Sequence, residues 1–96
     1  MKYEEVGKVV IRGSRWSYGW GDAGVYKGKD CEGKCDYGKR RIIIDPRHFT
    51  NLIDVSAHEV LHAYFPEYKE ETINEVAEKI ALVYSKLCIG SPRHGR

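Results

Sequence analysis

The sequence predicts an α+β domain: a small N-terminal antiparallel sheet of about three strands, followed by two packed helices. Three observations carry this. With 96 residues, the chain has room for one hydrophobic core and no second domain. Alternating and β-branched runs are confined to residues 1–48. After Phe49 the apolar spacing changes to steps of three and four, the signature of helices with one buried face.

Taken in order, residues 7–18 read as a strand, because Val9-Val10-Ile11 is followed by Trp16 and Tyr18 on one alternating face. Gly19, Gly21 and Gly24 punctuate the next stretch, with Val25 and Tyr26 as a short strand between turns. Residues 27–38 are turn chemistry, rich in Gly, Lys and Asp. Arg40-Arg41-Ile42-Ile43-Ile44-Asp45 is a strand stopped by Pro46, which has no amide proton for a ladder. Thr50 or Asn51 can cap a helix that runs to Tyr64, ahead of Pro66. A second helix is predicted over residues 69–89, where Ile73, Val76, Ala77, Ile80, Tyr84, Leu87 and Cys88 recur at helical steps. Gly90-Ser91-Pro92 ends it, and residues 91–96 are expected to form a frayed tail. The whole is read as a single domain over residues 1–96, with a sheet region at 1–48 and a two-helix region at 49–90.

A formal charge of +2 is too small to imply a polyanionic partner. Residues 1–48 carry 11 Lys and Arg against 7 Asp and Glu, while residues 49–96 carry 5 against 7, so the halves differ only mildly in sign. Lys39-Arg40-Arg41 is explained by a solvated strand end as well as by contact with nucleic acid. No apolar run reaches the ~18 residues that cross a bilayer, and residues 1–5 lack the apolar core of a signal peptide. The expectation is a soluble, cytoplasmic chain without a membrane partner. Three cysteines, an odd number, argue against a disulfide framework. Cys31 and Cys35 are readable as half of a metal site, a local bridge or two ordinary thiols, and Cys88 as a small core residue.

Chemistry concentrates in His58-Glu59-Val60-Leu61-His62. Residues four apart on a helix differ by about 40° around the axis and ~6 Å along it, so both imidazoles project from one side and can hold one ion. Neutral imidazole is a good zinc ligand. Glu59, on the neighbouring flank, is placed to take a proton from a polarised water as general base.

The run from Ile43-Ile44-Asp45 through this motif to Glu71 and Glu75-Val76-Ala77 resembles the strand, active-site helix and following helix of zincin metallopeptidases. The likeness is nearest to small gluzincin-like domains of phages and microbes, including the ImmA/IrrE type, and covers roughly residues 40–85. The stretch after His62 has no metzincin extension. The resemblance implies Zn²⁺ as cofactor, a peptide or protein substrate, His58 and His62 as ligands, Glu59 as catalytic base, and a third ligand that is a Glu on the second helix. Glu67, Glu70, Glu71, Glu75 and Glu78 are all within reach. In an antiparallel helix pair, a position one to two turns into the second helix favours Glu75, or else Glu71.

Lesser candidates surround this core. Asp54 could orient His58, or serve only the helix dipole. Tyr64 and Tyr68 are candidate oxyanion donors, with packing as the plainer role. Trp16 and Trp20 could line a cleft or cover the core. The strand at 42–45, if it lies at a sheet edge, could hold an extended substrate by strand addition. Two other readings stay open: a zinc-stabilised binding or regulatory module without turnover, and a metal-dependent hydrolase of a non-peptide bond.

Overall fold

The computed structural model describes residues 1–90. Its elements are β1 (Glu4–Ile11), β2 (Ser14–Trp20), β3 (Val25–Tyr26), β4 (Lys29–Asp30), β5 (Gly33–Asp36), β6 (Arg41–Ile44), α1 (Leu52–Tyr64) and α2 (Glu70–Gly90). The α+β class and the order of sheet then helices are as expected. The strand expected over 7–18 is two strands, because Arg12 and Gly13 both adopt positive φ (50° and 78°), as a two-residue type I′ hairpin turn requires. Lys27 and Gly28 repeat this geometry between β3 and β4.

The sheet itself departs from the expectation of about three antiparallel strands. It has four strands in the order β1-β2-β6-β5, with β3 and β4 forming a separate ribbon. β1 with β2 and β5 with β6 are antiparallel, but β2 with β6 is parallel, Tyr18 lying opposite Ile42 and Trp20 opposite Ile44. Parallel pairing needs a long crossover, supplied here by residues 21–40. β6 is thus a central strand, and its continuous isoleucine run is buried on both faces.

Ile42 and Ile44 join Ile11, Trp16, Val55 and Ala63 in the core between the sheet and α1, with Trp20, Cys35 and Phe49 packed against them. Trp16 is therefore a core residue. Trp20, with Leu52, Ser56 and Val60, lines an apolar groove of about 370 Å³ on the flank of α1 away from the histidines. Asn51 caps α1 through its side-chain oxygen, which accepts from the Asp54 amide at 3.1 Å.

α2 packs on α1 through Ile73, Ala77 and Ala81. The remainder of its expected stripe, Val76, Ile80, Tyr84 and Leu87, is exposed, and Cys88 is only half-buried. The tail predicted at 91–96 lies outside the described residues. No helix among them is long and apolar enough to cross a membrane.

Candidate metal centre

α1 turns one stripe, Val55, Glu59 and Ala63, into the core. His58 and His62 lie 100° round from that stripe's Glu59 and Ala63, on the side where α2 begins. Their Nε2 atoms are 3.0 Å apart. Glu70, the first residue of α2, brings Oε1 to 2.7 Å from His62 Nε2 and 3.4 Å from His58 Nε2. These three donors all lie within 4.8 Å of one another, the one such group of His, Cys, Asp and Glu found among the described residues. Ligands at ~2.0–2.1 Å in a tetrahedron stand about 3.3 Å from each other. The separations of 2.7, 3.0 and 3.4 Å run from hydrogen-bond distance up to that value, and two nitrogens with one carboxylate oxygen are a donor set that could hold a metal ion.

The third position thus differs from the expectation. Glu75 lines a surface groove with Val76, Lys79 and Ile80, and Glu71 is exposed; neither joins the histidines. The reason is helix phase and loop length. Only residues 65–69 separate the helices, so the very first residue of α2 arrives beside His62. Positions 70, 74 and 78 share one face of α2, whereas 71 and 75 are rotated about 100° from it.

Electrostatics favours neutral imidazole at His58, whose pKa is lowered by burial, opposed by the Glu70 carboxylate. Glu59 is 6% exposed, and burial, with the Glu70 charge, pushes its carboxyl up to about 8. Its neighbour on the sheet is Gly33 of β5, whose absent side chain makes the approach possible. A Cβ there would stand 2.9 Å from both Glu59 Cγ and Val55 Cγ2. Glu59, His58, Glu70, Asp54 and Cys31 line one cleft of about 340 Å³.

Tyr64 and Tyr68 are exposed and flank the Phe65 ring, at centroid distances of 6.0 and 4.9 Å, and neither lines the cleft. Cys31 and Cys35 are free; Cys35 packs on the core, where burial pushes its thiol up to about 11. Tyr37, which the sequence did not single out, donates from Oη to the His62 carbonyl at 2.8 Å and sets its ring edge-on to Trp16. It ties the turn after β5 to the end of the histidine helix. Lying in an Asp-Tyr-Gly turn, it had no local signal. β6 is internal, and the open edge nearest α1 belongs to β5. Comparison of the chain with protein-family models, curated proteins and solved structures finds no match.

Proposed function

We propose that the chain is a zinc-dependent hydrolase of peptide bonds, with His58, His62 and Glu70 as ligands and Glu59 as general base. The observation that carries this reading is that two members of that donor triad, His58 and Glu70, line one cleft with the buried carboxyl of Glu59. A structural site needs only the ligands. A carboxyl held at 6% exposure is costly to the fold when charged, and its position beside the triad is what a proton-transfer role requires. Zinc, when bound, supplies an acidified water and a polarised substrate carbonyl. Glu59 takes the proton of the attacking water and returns it to the departing amine. The unpaired edge of β5 offers backbone hydrogen bonds to an extended peptide, a role the sequence had assigned to residues 42–45. A cytoplasmic setting belongs to the same proposal, since all three cysteines are free thiols.

Glu59→Gln tests the reading. It should retain stoichiometric zinc and the fold while peptide turnover falls by roughly 10²–10⁴-fold; His58→Ala should lose both zinc and turnover. Undiminished turnover in Glu59→Gln would remove the assignment of Glu59.

A further inference from the structure

The helix that carries both histidines ends without all the amides that would close it. The carbonyls of its last turn need donors from beyond Tyr64. The Phe65 amide serves Leu61 at 2.8 Å. The next amide in that series would come from residue 66, which is proline and has none, so the ladder offers the His62 carbonyl no donor. Tyr37, in the turn after β5, supplies one from its hydroxyl at 2.8 Å. Two residues on, the Tyr68 amide that would serve Tyr64 in a continuing helix turns instead to Phe65, at 3.1 Å, and Arg12 Nη1 donates to the Tyr64 carbonyl at 2.8 Å. Both side chains come from turns at one end of the sheet, since β2 and β6 run parallel and each begins just after one of these turns. Each donor is anchored there. The Tyr37 ring stands edge-on to the buried Trp16, with centroids 6.0 Å apart, and Arg12 occupies a left-handed position of the β1–β2 turn.

We infer that Tyr37 and Arg12 are positioning residues of the candidate metal centre: from the sheet, they hold the last turn of α1, and with it His62 and the connection that delivers Glu70. The inference rests on the metal centre of the function proposed above and not on its peptide substrate. The residue whose carbonyl Tyr37 holds is the one whose Nε2 stands 2.7 Å from Glu70 and 3.0 Å from His58. A helix end without such donors frays, and fraying here would move His62 against His58. It would also loosen residues 65–69, which run directly from the capped turn to Glu70. Groups that orient a metal ligand without touching the ion commonly change its affinity by ten- to a hundredfold.

The test measures the Zn²⁺ affinity of the full chain by competition with a chromophoric chelator, the visible spectrum of its Co²⁺ form, and its urea midpoint in EDTA. Tyr37→Phe keeps the ring on Trp16 and removes only the hydroxyl, and Arg12→Asn keeps a residue that tolerates positive φ. Tyr37→Phe should weaken zinc binding by roughly tenfold and alter the Co²⁺ spectrum, and the double variant should weaken binding further. Ile43→Val serves as the control, because Ile43 is buried on the face of β6 opposite Ile42 and Ile44. It should lower the midpoint and leave zinc affinity and the Co²⁺ spectrum as in the wild type. Wild-type affinity and spectrum in Tyr37→Phe overturn the inference, as does an equal loss of affinity in Ile43→Val. Should the double variant fail to fold, Tyr37→Phe decides alone. A wild-type chain that takes up neither ion removes the metal centre and this inference together. Zinc affinity that depends on Tyr37, with no peptide cleaved, leaves the inference standing and removes the hydrolase.

Discussion

Glu59 is a carboxyl held on the buried stripe of α1, and its protonation should be visible in stability. Its folded-state pKa is raised from 4.5 to about 8, first by burial and then by the Glu70 charge. Across that window the metal-free folded protein holds a proton that the unfolded chain has released, so Glu59 lowers stability as pH rises and its effect levels off above about 8. Glu59→Gln removes the effect, and burial of His58 acts equally in both proteins. In EDTA, urea midpoints at about pH 5 and about pH 9 should show the variant gaining on the wild type by on the order of 2–4 kcal/mol. Parallel pH profiles would mean that water reaches this carboxyl freely. The motif around Glu59 was legible because helical spacing alone places His58 and His62 together. Glu70 was not, since choosing among five nearby Glu residues depends on where α2 starts, and one residue of phase turns a side chain by about 100°.

β5 is the element that shapes the Glu59 side of the candidate site, and a Gly-rich sequence concealed it. Gly33-Lys34-Cys35-Asp36 has no β-branched residue and reads as turn chemistry; pairing with the isoleucines of β6 makes it a strand. Its side chains at 33 and 35 face α1, and the missing one at Gly33 sets how closely helix and strand approach. Gly33→Ala would place a methyl 2.9 Å from Val55 Cγ2 and Glu59 Cγ. Overpacking of this kind costs about 1–3 kcal/mol, and here it also displaces Glu59, the proposed general base. The expected outcome is a lower denaturation midpoint and reduced turnover with zinc stoichiometry intact, because the added methyl meets Glu59 and Val55 and not His58, His62 or Glu70. Wild-type turnover in Gly33→Ala would show that Glu59 does not depend on this contact. The β1–β2 hairpin was missed for a different reason: both halves alternate, and only the backbone at Arg12-Gly13 interrupts them.

Across the whole molecule, α1 is the hinge on which everything else rests: the sheet packs on one side of it and α2 on another. That division was readable, because the apolar period changes at Phe49; the parallel β2–β6 pair was not, because it depends on how residues 21–40 cross the sheet. The α1–α2 contact is thin in apolar terms. One isoleucine and two alanines, Ile73, Ala77 and Ala81, are its buried residues on α2, and small side chains contribute little transfer free energy each. The polar joint is Glu70 against His58 and His62, at the start of α2. A metal held there would clamp the start of α2 to the end of α1 across a contact that buries few apolar side chains, so its binding should stabilise docking of α2 more than the sheet. At zinc a hundredfold above its dissociation constant, stability should rise by about 2.7 kcal/mol, and hydrogen exchange should slow most in the first turns of α2 and the last turns of α1. His62→Ala should abolish both changes while leaving exchange in β2 and β6 as it was. Uniform slowing across sheet and helices would instead mean that the chain unfolds as one unit and that zinc has no local role in holding α2.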